Sequence, residues 1–313
     1  MFIQSQIEAQ HPARKFMLLL GLFLFCLGIA TVAQILILFL FAEMESMQDI
    51  ASLSDYNNPK IITGMKIAQG ASAIIMFIIP ALLFAWISSE KKFKYLKIQN
   101  WFSSQSGLAV VLLVFCAMPL INWMGEVNSH LTLPDFLSGL ENWMKSSEES
   151  LKKLTEAFLK MDNVFDLIVN IIIIALLAAV GEELLFRGAM QNVILEWTKN
   201  THVAVWITAI LFSALHMQFF GFLPRMLLGV VLGYLYVWSN SLWLPILFHF
   251  LNNGLAVLFS YLVSQKTIPE SAETIGTGSS SILLVLASAV VCISLLYFIS
   301  KSPTAILTEE ESI

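Results

Sequence analysis

Residues 164–190 read "VFDLIVNIIIIALLAAVGEELLFRGAM", an apolar run that ends in two adjacent glutamates and an arginine. About 17 to 25 consecutive apolar residues are enough for a helix to cross the hydrocarbon of a bilayer. The run therefore predicts a membrane-spanning helix at 164–182. The charges at its end need a separate explanation, because charged side chains are costly inside a membrane.

The rest of the chain has the same apolar character. Of its 313 residues, 58% are hydrophobic and 12% are charged, whereas soluble domains carry roughly 25% charged residues. We therefore predict an all-α fold, a polytopic membrane bundle of about eight transmembrane helices. The first run is too long for a signal peptide and is expected to remain as a helix. The predicted spans are 16–42, 68–88, 107–124, 164–182, 202–218, 223–239, 241–263 and 281–300.

No repeat or linker divides the sequence, which predicts one integral membrane domain over residues 1–313 with a motif-bearing core at about 163–263. Segment 134–160 differs, because its apolar residues recur every three or four positions between Glu, Lys and Ser. This spacing predicts an amphipathic extramembrane helix. It would lie on the membrane surface or cap the bundle, and a solvent-exposed helix without a special role fits the spacing equally well.

Lysines are densest in the short loop "SSEKKFKYLKIQN", residues 88–100. Loops rich in Lys and Arg stay on the cytoplasmic side of a membrane. With this loop inside and an even number of spans, both termini are predicted to be cytoplasmic.

The charges after the apolar run divide into two sets by their helical spacing. Glu183 and Arg187 lie four residues apart and share a face, so they can form an ion pair. Glu182 points about 100° away from Glu183. One glutamate is therefore expected to be paired, and the other can point into a cavity as a general base. The alternative is that the three charges simply mark the membrane surface.

Two later spans carry the histidines that lie deepest in apolar sequence, His216 and His249, and Asn253 follows His249 by one helical turn. Each has an ordinary explanation, because buried histidines are common and Asn and His also join membrane helices by hydrogen bonds. A Glu, two His and an Asn on three helices nevertheless indicate one water-activating or metal-binding site. Asn252 is expected to point away from it.

The sequence lacks the motifs of several other classes of hydrolase. The sequence contains no GxSxG and no HExxH, and no predicted span pairs a Cys with a His,. Water activated by a carboxylate remains, with histidines as proton partners or metal ligands. His, His and Glu would suit zinc, and a metal-free site fits the same residues.

Three short motifs, EExxxR, FxxxH and HxxxN, occur in this order on successive predicted helices. Together they resemble the motifs of the CPBP family of intramembrane proteases, the CAAX-protease and bacteriocin-processing family that is also called Abi. The resemblance covers roughly residues 165–260. The motif positions are Glu182, Glu183 and Arg187, then Phe212 and His216, then His249 and Asn253.

The resemblance implies a role for each motif residue. Glu182 would be the general base that activates water, together with His216. His249 and Asn253 would stabilise the oxyanion, and the Glu–Arg pair of the first motif would hold the geometry. The implied catalytic residues are Glu182, Glu183, Arg187, His216, His249 and Asn253.

The resemblance also implies the partners of the site. Glu182, His216 and His249 would be the ligands of a zinc ion, if one is bound. The substrate would be a membrane-embedded or lipidated peptide or protein in the cell membrane of a bacterium. Nothing in the charge distribution indicates a nucleic acid partner,.

Two other functions remain open from the sequence. A non-catalytic membrane scaffold or bacteriocin immunity factor would bind partner helices without cleaving them. A proton-coupled transporter could use buried Glu and His as a relay, although the inverted repeats typical of transporters are not visible. Among lesser features, Gly229 and Gly233 predict close helix packing rather than a dimer interface, and Arg225 is expected to anchor its helix at the membrane surface.

Overall fold

The computed structural model describes residues 10–41 and 58–302 of the chain. Regular structure in these two ranges is helical, and they contain no strand. The main helices are α1 Pro12–Phe41, α2 Pro59–Ser88, α3 Ser104–Ser129, α4 Ser138–Phe158, α5 Val164–Thr198, α6 Thr201–Leu215, α7 Phe222–Ser239, α8 Trp243–Ser264 and α9 Ile282–Lys301. Single turns of helix lie at Lys92–Tyr95, Asp135–Leu137, Glu270–Ala272 and Ser279–Ser281.

Seven of the helices in the described ranges are long and apolar enough to cross a membrane, all except α4 and α6. The chain is therefore an integral membrane protein with the predicted all-α polytopic fold. The span expected at 202–218 is α6, which has only 15 residues. At 1.5 Å per residue, α6 is about 22 Å long, which is shorter than the roughly 30 Å of hydrocarbon in a bilayer.

The fourth span is longer than the sequence predicted. The expected range 164–182 ended at the first glutamate, whereas α5 continues to Thr198. Glu183 and Arg187 are fully buried in protein and paired with each other, so the charges do not force the helix to end. This burial does not fit the alternative in which the charges mark the membrane surface.

α5 is not a regular α-helix along its whole length. Wide turns of the π type occupy Ile171–Leu177 and Leu184–Gln191, and an ordinary α-helical segment, Ala178–Glu183, lies between them. Such wide turns are rare and frequently occur at functional sites. The two glutamates are at the end of the ordinary segment, directly before the second wide turn.

α5 lies at the centre of the bundle, where α2, α6, α7 and α8 contact it. α1 packs on α2, α6 packs on α7, and α9 packs on α3. One apolar core joins α1, α2 and the second half of α5, and another joins α3, α7, α8 and α9. Phe212 belongs to the first core and Phe248 to the second, and the candidate site lies between them.

The glycines of α7 pack within the chain, as predicted. A Cβ at Gly229 would lie 3.1 Å from Ala209 of α6, and a Cβ at Gly233 would lie 2.9 Å from both Val205 and Gln191. Only glycine allows the helices to approach this closely. The backbone carbonyls of α7 are therefore within reach of polar side chains on α5.

α4 lies within the segment predicted to be amphipathic and is tied to the bundle at two places. The Trp143 ring is 5.4 Å from the ring of Phe219, in the connection between α6 and α7. At the other end, Asn170 of α5 donates a hydrogen bond to the carbonyl of Phe158 at 2.6 Å. Most of its remaining surface is exposed, so α4 covers one end of the α5–α7 region.

Candidate active site

The Glu–Arg pair of α5 is enclosed in protein. Arg187 Nη1 donates to Glu183 Oε1 at 2.9 Å, and Arg187 Nη2 donates to the carbonyl of Gly229 at 3.0 Å. The close approach of α7 at Gly229 makes the second bond possible. The ion pair expected from the four-residue spacing is thus formed, and it also ties α5 to α7.

Glu183 has a second partner that the sequence did not reveal. His249 Nδ1 lies 2.8 Å from Glu183 Oε1. An ionised carboxylate can only accept hydrogen bonds, so Nδ1 of this imidazole carries a proton. A partner of this kind fixes the tautomer and the ring orientation. In the neutral ring, the lone pair of Nε2 is therefore directed away from Glu183.

His216 is oriented by the backbone instead. It follows the last residue of α6, and its Nδ1 lies 2.8 Å from the carbonyl oxygen of Phe212. A carbonyl oxygen also accepts only, so Nδ1 donates here as well. The two histidines consequently present the same atom, Nε2, for other interactions.

Both Nε2 atoms face Glu182. Glu182 Oε2 lies 3.8 Å from Nε2 of His216 and 3.9 Å from Nε2 of His249. These separations are too long for direct hydrogen bonds, and this buried oxygen has no hydrogen-bond partner in the described structure. Polar groups at such separations can share one bridging water, so the arrangement is suited to hold water against a carboxylate.

Phe212 explains the aromatic residue of the FxxxH motif. Its ring lies under the guanidinium of Arg187, with 4.6 Å between Cζ and the ring centroid. It also makes edge contacts with the rings of His216, at 5.1 Å, and His249, at 5.9 Å. One side chain thus packs against a residue from each of the three motifs.

The three charged or imidazole groups border a cavity of about 500 Å³ enclosed mainly by α5, α6, α7 and α8. This volume is in the range of small-ligand sites. Glu182, His216, His249 and Asn253 all line it. The structure therefore brings together these four sequence-predicted residues, and places Glu183 and Arg187 behind them.

The two asparagines of α8 differ from expectation. Asn253 lines the cavity, and its amide Nδ2 donates to the carbonyl of Ile174 at 3.3 Å. Asn252 was expected to point away, but it lines the cavity too and donates to Asn253 Oδ1 at 3.3 Å. Neighbouring helical residues point only about 100° apart, so a wide cavity can be bordered by both.

Arg225 also lies in the cavity wall rather than at a membrane surface. α7 begins at Phe222, and the first turn of this helix faces the end of α6. Arg225 donates to Gln218, which lines the same cavity. The sequence contained a signal for this position, because an ionisable residue within an apolar span usually faces the protein interior.

Zinc was expected at Glu182, His216 and His249, and these are suitable donor types for zinc. As placed, no group of three His, Cys, Asp or Glu side chains in the described ranges could hold a metal ion. The side chains would have to move closer together to do so. Zinc therefore stays a prediction, and the reaction steps given below involve only the residues of the chain.

A second cavity, of about 300 Å³, shares four wall residues with the first. Its remaining walls are largely apolar and come from α3 and α8. The shared wall residues are Ile121, Leu159, Asn252 and Ala256. The polar site is thus bordered by an apolar compartment on the side of α3.

Comparison with known proteins identifies the same region of the chain. Residues 164–255 match a family model described as "Type II CAAX prenyl endopeptidase Rce1-like". Over 86 residues, 26% of this chain, the sequence is 33% identical to the uncharacterized protein YpbD of Bacillus subtilis (strain 168). The chain spans 41% of the length of this relative.

No solved structure gives a significant match to the chain. The range matched by the family model contains every motif residue and most of the residues that line the cavity. The resemblance seen in the sequence is confirmed by this match. The similarity to the CPBP family, of the Rce1-like type, therefore lies in residues 164–255.

Proposed function

We propose that this protein is an intramembrane endopeptidase in which Glu182 activates water for hydrolysis of a peptide bond. One observation carries the proposal: Glu182 Oε2 is buried, has no hydrogen-bond partner and lies within 3.9 Å of two imidazole Nε2 atoms in a cavity. Glu183 differs, because its Oε1 is bonded directly to Arg187 and His249 and the residue does not line the cavity. The family description of residues 164–255 names the same class of activity.

Hydrolysis begins with the attack of water on the scissile carbonyl. Glu182 takes one proton from the water as its oxygen forms a bond to the carbonyl carbon, and the carbonyl oxygen becomes an oxyanion. The C–N bond then breaks, and the leaving nitrogen takes the proton held by Glu182. The products are a carboxylic acid, which then loses its proton to solvent, and an amine, and Glu182 is ready for another water. General acid–base catalysis of this kind contributes typically 10²- to 10⁴-fold.

His216 and His249 position the water and respond to the charge that develops. Glu183 accepts the Nδ1 hydrogen of His249 and so keeps Nε2 of that ring facing the cavity. When Nε2 takes up a proton during the reaction, it can donate to the oxyanion. Asn253 donates one amide hydrogen to the carbonyl of Ile174, and its second amide hydrogen can be donated to the oxyanion. Donors to an oxyanion are worth about 10²- to 10³-fold each.

The walls of the site favour an apolar, membrane-associated substrate. The catalytic cavity is lined by apolar residues on most sides, and the neighbouring apolar compartment shares a wall with it. A lipidated or membrane-embedded peptide would place its apolar part there and its scissile bond beside Glu182. The cell membrane of a bacterium is the proposed location, with both termini in the cytoplasm.

The direct test is hydrolysis in water enriched in ¹⁸O. The purified protein would be reconstituted in lipid vesicles with S-farnesylated peptides that end in Cys-Val-Ile-Leu. The wild-type protein should release a shortened peptide with one ¹⁸O in its new carboxylate, and Glu182→Gln should not. Glu149→Gln is the matched control, since Glu149 is exposed on α4. Normal cleavage by Glu182→Gln would contradict the proposal.

The same experiment separates the protease from a scaffold. A protein that only binds partner helices would release no peptide in the wild-type form, and Glu182→Gln would leave its binding unchanged. Loss of cleavage in Glu182→Gln with unchanged folding and membrane insertion is the result that only the enzyme predicts.

A further inference from the structure

Arg225 is a charged residue in the catalytic cavity that belongs to none of the three motifs. Its Nη2 donates to Gln218, whereas its Nη1 is buried and has no hydrogen-bond partner in the described structure. The guanidinium lies against Gly221, where an added Cβ would be 3.3 Å from Nη2. One nitrogen of the guanidinium is therefore held by a hydrogen bond, and the other has N–H groups without an acceptor.

Two carboxylates interact with Arg225 electrostatically, Glu148 of α4 and Glu182. Neither forms an ion pair with Arg225 in the described part of the chain, where the nearest charged partners of Glu182 are His216 and His249. Glu148 Oε2 is itself buried and has no partner. A buried guanidinium hydrogen and a buried carboxylate oxygen thus lie in the same region without bonding to each other.

An unsatisfied guanidinium in a low-dielectric cavity is costly and attracts an anion. A carboxylate fits best, because its two oxygens match the parallel N–H groups of arginine.

We propose that Arg225 binds a carboxylate of the substrate and so selects which peptide bond reaches Glu182. The proposal rests on the proposed endopeptidase function. Arg225 and Glu182 line the same cavity of about 500 Å³, which is the size of a short peptide segment rather than a folded domain. A carboxylate held by Arg225 therefore fixes the scissile bond only a few residues from the anionic group.

The bound carboxylate can come from two sources, the C-terminus of the substrate or an acidic side chain. Both present the same group to a guanidinium. A C-terminal carboxylate would make the protein cleave near peptide ends, whereas an Asp or Glu side chain would direct cleavage to internal acidic sequences. Glu148 competes for Arg225 in either case, because it carries the same group on α4.

Cleavage kinetics test the proposal with matched peptides. The S-farnesylated peptide ending in Cys-Val-Ile-Leu would be prepared as a free acid, as a C-terminal amide, and as an amide with Glu in place of the final Leu. Wild-type protein should cleave at least one of the two carboxylate-bearing peptides more efficiently than the plain amide. Arg225→Gln should raise KM for that peptide about 10- to 100-fold, the usual effect of losing a charged hydrogen bond, and so remove its advantage over the plain amide.

Three further variants make the result specific. Arg225→Lys keeps the charge but not the paired N–H groups, so it should restore part of the affinity. Glu148→Gln should lower KM for the carboxylate-bearing peptide, because it removes the competing carboxylate. Arg14→Gln, at an exposed position of α1, should change nothing. Equal cleavage of all three peptides by the wild type would overturn the proposal and leave the endopeptidase function standing.

Binding can be measured without cleavage. Thermal unfolding of Glu182→Gln in detergent would be followed with octanoyl-Leu-Val-Leu as the free acid, its C-terminal amide, and the C-terminal amide of octanoyl-Leu-Val-Glu, which keeps a free side-chain carboxylate. A carboxylate-bearing probe should raise Tm, and the plain amide should not; the added Arg225→Gln change should abolish the shift. If no probe, or every probe equally, shifts Tm, the proposal is wrong. Absence of turnover in the wild type, with a carboxylate-specific shift in Tm, would instead count against the endopeptidase function alone.

Discussion

Glu182 and Glu183 are neighbours in the chain, yet they face two different regions of the molecule. Glu183 has no exposed surface and shares one oxygen between Arg187 and His249. Glu182 borders the cavity, and its Oε2 lies near two imidazoles without bonding to either. The same side chain is thus tied by one oxygen to two partners on one face of α5 and has no direct hydrogen bond on the other, although Glu183 Oε2 is also without a partner in the described structure.

This difference shows how a membrane helix can carry charge for two purposes. Pairing offsets part of the cost of burying the two charges, and removing one partner of such a pair is expensive. The cavity-facing carboxylate can exchange protons only because it lacks such a partner. His249 joins the two regions, since one ring nitrogen contacts Glu183 and the other faces Glu182.

His249→Ala would remove the group that connects the two faces. We expect cleavage to fall at least about 100-fold, because an oxyanion donor and a water ligand are lost together. Stability should fall by about 1–3 kcal/mol, since Glu183 loses one of its two partners. Peptide cleavage and thermal unfolding would be measured on the same preparation. A variant that keeps wild-type cleavage would exclude His249 from the reaction.

Arg187→Ala would remove the buried ion pair with Glu183 and leave Glu182 in place. The carboxylate of Glu183 would be left with His249, and the carbonyl of Gly229 would lose its donor. We expect a loss of about 3–5 kcal/mol in the free energy of unfolding. Urea or thermal unfolding in detergent would show it, with Arg14→Ala as the control. A change below about 1 kcal/mol, the size of a surface ion pair, would mean that the pair is not a structural support.

A zinc ion would distinguish the two glutamates further, because all its predicted ligands lie on the side of Glu182 and none on the side of the enclosed Glu183–Arg187 pair. The zinc proposal predicts one ion per chain in the purified protein, measured by elemental analysis. Glu182→Gln and His216→Ala should lower the zinc content, and Glu149→Gln should not. Reversible loss of cleavage on chelation would support the ion's role. A wild-type protein with full activity and no bound zinc would contradict it.

The path of α6 determines from which side of the membrane the Glu182 face is reached, because His216 directly follows this helix. If the short helix crosses, the chain has an even number of crossings and both termini lie in the cytoplasm, as proposed. Reporter proteins fused to the N-terminus and to the C-terminus would show on which side of the membrane each terminus lies. Reporters on opposite sides of the membrane would mean that α6 does not cross.

The helices were predictable because apolar length alone identifies them. Their ends were less so: the sequence ended the fourth span at Glu182, since a hydropathy pattern cannot show that Glu183 and Arg187 neutralise each other inside the bundle. The length of α6 was overestimated for a related reason, as His216 and the residues after it look apolar enough to continue the helix.

The sequence predicted which side chains from three helices meet at the site, but the individual contact that it predicted lies within a single helix. The Glu183–Arg187 pair follows from a spacing of four residues along one helix. The bond between Glu183 and His249 joins residues 66 positions apart, and no local pattern encodes it. Arg225 and Asn252 were misplaced because helical spacing gives relative directions but not which direction faces a cavity.

The most direct measurement compares Glu182→Gln with Glu183→Gln, two variants with the same chemical change at adjacent positions. For each, peptide cleavage and the thermal unfolding midpoint would be measured side by side. We predict that Glu182→Gln lowers cleavage by about 10²- to 10⁴-fold and leaves the midpoint unchanged, while Glu183→Gln lowers the midpoint clearly. Equal loss of stability in both variants, or normal cleavage by Glu182→Gln, would contradict the division of roles between the two glutamates.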